Sequence, residues 1–140
     1  MRGMVKLKLG RLLALDCVTL FLCSVVVMQP GVALANSAYQ DAVSDLARAS
    51  YDHLKVTYKC RSVLGASVTR EARTFIENAL RATGVPTDVA FQSAGRMARV
   101  AAAEADSEPD MAVNECLWRI LVTKNGVART RARVNAEAAS

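Results

Sequence analysis

The stretch TREARTFIENALRATGVP, residues 69–86, decides the fold class. Within it Ala72, Phe75, Ile76, Ala79, Leu80 and Thr83 fall at i, i+3, i+4, i+7, i+8 and i+11, the spacing of one apolar stripe on an α-helix. Arg73, Glu77 and Arg81 stand four apart on the opposite face and predict an ion-pair ladder worth a few tenths of a kcal/mol per pair. Ser67 or Thr69 can cap the start, Gly84 can supply the left-handed residue that ends the helix, and Pro86 prevents it from resuming.

Toward the amino terminus, Gly65 interrupts the pattern. Before it, Ser37 and Gln40 have the form of a capping box, and Tyr39, Val43, Leu46, Ala47, Ser50, Leu54 and Tyr58 recur at helical spacing, which predicts a long first helix running toward Cys60. Leu54 to Cys60 also alternates apolar with polar residues, so a strand is the alternative there.

Toward the carboxyl terminus, Thr87 and Asp88 open a third helix with the stripe Ala90, Ala94, Met97, Ala98, Ala101, Ala102 and Ala105, small residues that let a neighbouring helix come close. Gly95 costs this helix roughly 1 kcal/mol against alanine, which marks either a close contact or a tolerated weakness. An acidic connection, Asp106-Ser107-Glu108-Pro109-Asp110, follows, in which Ser107 with Asp110 forms a second capping box and Pro109 suits a first helical turn. The fourth helix then carries Met111, Val113, Cys116, Leu117, Ile120 and Leu121 inward, with Trp118 on its flank. Asn125-Gly126 reads as that helix's C-cap, or else as the turn of a hairpin between 120–124 and 127–134. The expectation is therefore an all-α protein, a small four-helix bundle; the alternative is α+β with a carboxyl-terminal hairpin.

The first thirty-five residues set the compartment. Arg2, Lys6, Lys8 and Arg11 precede an apolar run, Cys17–Met28, and Ala33-Leu34-Ala35 precedes Asn36: the parts of a secretory signal peptide cleaved between Ala35 and Asn36. The apolar run is twelve residues long, whereas a spanning helix needs about 20. Extending it backwards would bury Asp16 at roughly 2.5–3.5 kcal/mol. Residues 1–35 are thus expected to leave, 36–134 to form one helical domain, and 135–140 to fray. Of eighteen Lys and Arg and thirteen Asp and Glu, the leader takes four and one, leaving fourteen against twelve and a net charge of +2. The basic balance of the whole chain is partly the leader's and is no nucleic-acid signal.

Cleavage removes Cys17 and Cys23 and leaves an even pair, Cys60 and Cys116. In an oxidising compartment such a pair is expected to form a disulfide, since neither lies in a Cys-x-x-Cys motif or beside metal ligands. A reactive thiol is the competing use, and Lys59 and Arg61 would lower the pKa of Cys60, but no general base stands beside it.

Other chemistry is sparse. His53 is the single histidine, so any acid–base, triad or zinc proposal passes through it with Asp52 or Asp45; on the polar side of an amphipathic helix its ordinary fate is solvation. Glu104, Asp106, Glu108, Asp110 and Glu115 form an acidic group without the ligand spacing or glycine of a calcium loop, and the last three suit a helix start. A basic group follows, Arg119, Lys124, Arg129, Arg131 and Arg133, able to meet anionic headgroups, a wall polymer or an acidic protein. Nucleic acid is disfavoured by the compartment and by the lack of interleaved aromatics. Tyr39, Tyr51, Tyr58 and Trp118 are expected at the core and its edge; exposed together, Trp118 and Tyr51 would make a binding hot spot.

These features predict an exported protein, periplasmic or secreted, that is not an enzyme, has no metal or cofactor, and does not span the membrane once mature. Its function is expected to be interaction with another envelope or secreted protein, as an inhibitor, immunity or adaptor protein does, with a patch of Trp118, Arg119, Lys124, Arg129, Arg131 and Arg133. A periplasmic stress chaperone opened by acid is the alternative, and a small enzyme built on His53 is the third reading.

Overall fold

The computed structural model describes residues 30–107 and 109–140, with side chains from Ser37 onward apart from Glu108. The basic opening and apolar run of the expected leader lie outside the described residues; at the Ala35–Asn36 junction only the backbone is described, and it is helical. Residues Leu34–Ser140 form one compact unit. Its elements are α1 (Pro30–Lys59), α2 (Arg61–Leu64), α3 (Ser67–Arg81), α4 (Thr87–Ala105) and α5 (Val113–Ala138). The protein is all-α: four long helices, a single helical turn between the first two, and no strand among the described residues.

Helix α1 turns Ala42, Leu46, Ser50, His53, Leu54 and Thr57 inward, a stripe at helical spacing. The alternation at Leu54–Cys60 therefore does not form a strand. Because the helix is already running at Pro30, Ser37 is not its N-cap. The chain leaves α1 through α2, then turns at Gly65, whose φ of 88° favours glycine. Helix α3 buries Ala72, Ile76 and Ala79, and Gly84, with φ of 86°, ends the turn that follows it. Neither Ser67 nor Thr69 caps α3; the Thr69 hydroxyl instead donates to the Ala66 carbonyl at 3.0 Å. The expected Arg73–Glu77–Arg81 ladder is absent too, since none of these three makes an ion pair among the described residues.

Helix α4 buries Ala90, Ala94, Gly95, Ala98, Ala101 and Ala105, the expected small-residue face. Together with α1, α3 and α5 it builds the main core, to which Leu46, Leu54, Ile76, Val127 and Val134 contribute the largest buried side chains. Tyr39, Tyr51 and Tyr58 pack at its edge, as expected.

The last helix departs most from expectation. It starts at Val113, after a non-helical 109–112 in which Ala112 is extended, so Pro109 is outside it. The predicted capping box does not form: the Ser107 hydroxyl donates back to the Glu104 carbonyl at 2.7 Å, and Asp110 accepts from the Ser62 hydroxyl at 2.9 Å. Nor does Asn125-Gly126 cap the helix or turn a hairpin, and 135–138 are helical instead of frayed. Cys116, Ile120, Thr123, Val127, Thr130 and Val134 continue one inward stripe across the glycine. A mid-helix glycine costs about 1 kcal/mol; fully burying a valine contributes about 1.5–3 kcal/mol, and both Val127 and Val134 are buried. Continuation wins.

Cys60 and Cys116 form the expected disulfide, with Cα atoms 5.6 Å apart. Around it Met111, Val56, Leu64 and Ile120 make a second, smaller core. Closing a loop across a separation of 56 residues is worth roughly 4 kcal/mol in the chain-entropy account. The double variant Cys60→Ser/Cys116→Ser should lose about 3–4 kcal/mol of unfolding free energy in urea titrations; a loss under about 1 kcal/mol would contradict this.

Candidate interaction face

The disulfide sets which way α5 faces. With Cys116 inside, the residues at i+4, i+7 and i+11 are Ile120, Thr123 and Val127, which turn to the cores. The apolar residues off that stripe are left outside, and five are exposed: Val113 (50% exposed) at the border of the buried line, and Leu117 (57%), Trp118 (66%), Leu121 (52%) and Val122 (43%) on the outward side. Val113, Leu117 and Leu121, expected inside, are outside. The error is one of arc: residues 111–122 are apolar on nearly every side, and a helix can bury only part of its circumference. The missed signal was polar, since the buried stripe passes through Thr123 and Thr130. Their hydroxyls donate to helix carbonyls, Thr123 to Arg119 at 2.8 Å and Thr130 to Gly126 at 3.0 Å, so their burial leaves no unmet donor.

Trp118 lies at the centre of this outward face, but Tyr51 is not beside it as an exposed partner; the Tyr51 hydroxyl is enclosed. The Trp118–Tyr51 hot spot is therefore not assembled.

The basic residues divide. Arg133 donates to Asp45 at 2.7 Å and ties α5 to α1. Arg119 pairs with Glu115 at 2.8 Å within α5. The Lys124 ammonium sits over the Phe75 ring at 5.3 Å, while Arg129 and Arg131 have no carboxylate partner among the described residues. Helical spacing places Arg129 on the line of Trp118 and Val122, and Lys124 on the line of Leu117 and Leu121. The exposed stripe thus ends, toward the carboxyl terminus, between two cations that lack an acidic partner.

The acidic group is used internally. Glu104 pairs with Lys55 at 3.2 Å, Asp106 with Arg61 at 3.1 Å, and Asp110 accepts from Ser62. These pairs are exposed and individually contribute little. Among the described residues no three His, Cys, Asp or Glu side chains are grouped to hold a metal ion, and no helix is long and apolar enough to cross a membrane.

His53 is not solvated. Only 2% exposed, it meets the Thr123 hydroxyl through Nδ1 at 2.9 Å and packs edge-on against Phe75 with ring centroids 5.5 Å apart. Since that hydroxyl already donates to a carbonyl, the imidazole donates from Nδ1. Asp45 is engaged by Arg133, and Asp52 lines a different cleft from the one beside His53, so the expected His53–carboxylate pairing is not formed. A small cavity of about 80 Å³ borders the ring, with Glu71 and Lys124 at its wall. No known protein family matches this chain, and no similar curated protein or solved structure is found.

Burial first, and then the charge of Lys124, pushes the His53 pKa down from 6.5 to about 4. As pH falls the unfolded chain therefore takes up this proton before the folded one does. His53's contribution is complete above pH 6.5 and is lost on the way to pH 4, at about 1.4 kcal/mol per pH unit. Urea titrations across that window should show wild type losing up to about 3 kcal/mol relative to His53→Gln. Parallel curves for the two proteins would show that His53 does not titrate this way.

Proposed function

We propose that this is an exported, non-enzymatic interaction module that binds an acidic, partly apolar surface of another envelope or secreted protein through the outward face of α5. The observation that carries the reading is Trp118, two-thirds exposed beside the exposed Leu117, Leu121 and Val122. A monomer rarely leaves its largest side chain in a contiguous apolar stripe unless something covers it. Tryptophan is also the residue type most enriched among binding hot spots. Lys124 and Arg129, at the stripe's end, supply the charge that selects an acidic partner and steers its approach. Export is supported by the leader's order of parts and by the Cys60–Cys116 disulfide, a bond that persists in oxidising compartments.

An acid-opened stress chaperone is the second reading. The observation favouring it is His53, buried neutral between α1 and α5, whose protonation would loosen their contact and widen the apolar face. Protection of an unfolded client that appears only below pH 6.5 would move the assignment there.

The test uses protein produced from the full reading frame, so that its leader is processed as in its host. Mass spectrometry should find Asn36 at the amino terminus. Capture from envelope extract, followed by titration of the partner identified, should give a stoichiometric complex weakened about 30-fold or more by Trp118→Ala. Arg129→Glu should slow association and flatten its salt dependence. Equal affinity for wild type and Trp118→Ala, with both proteins folded, would remove α5 as the binding face.

A further inference from the structure

Along the seam where α3 packs against the alanine face of α4 lies a cleft of about 230 Å³, lined by Arg73, Phe91, Gln92, Gly95, Arg96 and Arg99. Arg73 reaches it from α3, its guanidinium lying over the Phe91 ring at 4.8 Å. Gly95 makes room for it: a Cβ there would come within 3.3 Å of Arg73 Nη2, and the same point is 3.9 Å from Arg99 Nη1. Arg96 donates only to the Ser93 hydroxyl, at 3.4 Å. None of the three arginines has a carboxylate partner among the described residues.

Two features here work against the stability of the unliganded fold. Arg73 has Glu77 one turn along its own helix, yet turns away from it to stand beside Arg99, where like charges repel. Helix α4 keeps a glycine in its interior, against helix propensity, at the position where a methyl group would crowd that guanidinium. An anion in the cleft would relieve the repulsion and give the arrangement a use. Guanidinium groups present planar donor forks that match oxyanions, and three of them exceed what one carboxylate can accept. A doubly charged phosphate monoester, with three terminal oxygens, fits the donor set, with Gln92 offering an amide and the half-exposed Phe91 an apolar border.

We propose that the Arg73–Arg96–Arg99 cleft is a binding site for a phosphate monoester, separate from the α5 face and independent of its partner. The group could arrive as a free phosphate compound or on a lipid headgroup, and the experiment separates the two sources. Thermal unfolding and calorimetric titration of the full protein are made with inorganic phosphate at constant ionic strength, then flotation with phosphatidylcholine vesicles containing phosphatidic acid, with phosphatidylglycerol vesicles of equal charge as the control. Wild type should be stabilised by phosphate beyond the chloride control. Arg99→Gln and Gly95→Ala should each weaken phosphate binding at least tenfold, while without phosphate both variants melt at or above the wild-type temperature. Vesicle binding selective for phosphatidic acid and lost in the same variants would place the group on a lipid; phosphate binding without it would indicate a free ligand. The site is overturned if phosphate acts only as chloride does, if the variants respond like wild type, or if Arg99→Gln melts lower without phosphate, which would make the arginines structural.

Discussion

The bond between Cys60 and Cys116 is the constraint on which the rest of the arrangement depends. It joins the end of α1 to the first turn of α5 and so fixes both where the last helix begins and which side of it faces inward. From that rotation follow the buried line through Ile120, Thr123, Val127 and Val134, the meeting of Thr123 with His53, and the outward placement of Trp118. Were α5 free to rotate, burying Leu117 and Leu121 would be favoured by the same hydrophobic effect that now holds Val127 and Val134. The crosslink and the second core around Met111 decide between these faces.

The interior is modest in side-chain size. Much of the main core is alanine, so α3 and α4 approach closely and gain stability through many small contacts instead of a few large ones. Two of the buried polar groups have hydrogen-bond partners, Thr57 in the Leu54 carbonyl and His53 in Thr123, whereas the Ser50 hydroxyl is buried without one. A core of this kind also leaves the larger apolar residues of α5 at the surface.

Charge follows the same division. The acidic residues near the end of α4 are occupied by Lys55 and Arg61, and Arg133 is occupied by Asp45, so these groups orient helices against one another. Among the described residues, two groups of cations without acidic partners stand out: Lys124, Arg129 and Arg131 along α5, and Arg73, Arg96 and Arg99 around the cleft on α3 and α4. One cation of each set lies over an aromatic ring, Lys124 over Phe75 and Arg73 over Phe91, whose faces accept a cation at little desolvation cost.

Residue spacing by itself determined the helical class, the extents of α3 and α4, the turns at Gly65 and Gly84, and the pairing of the two cysteines, because each rests on contacts within a few residues or on a count of thiols. It also marked the basic residues of α5 as surface candidates and offered Trp118 for such a patch, but its first expectation for Trp118, the core edge, was wrong, since the side chain is two-thirds exposed. It could not choose the buried arc of α5, since residues 111–122 offer apolar groups all round and only the position of Cys60 in space selects among them. Nor could it carry α5 through Asn125-Gly126, where the local preference to stop is outweighed by valines whose burial depends on α1 and α3. His53 and Gly95 were decided the same way: a polar-looking histidine is enclosed by Phe75 and Thr123 from two other helices, and a glycine that weakens its own helix makes room for an arginine from the next.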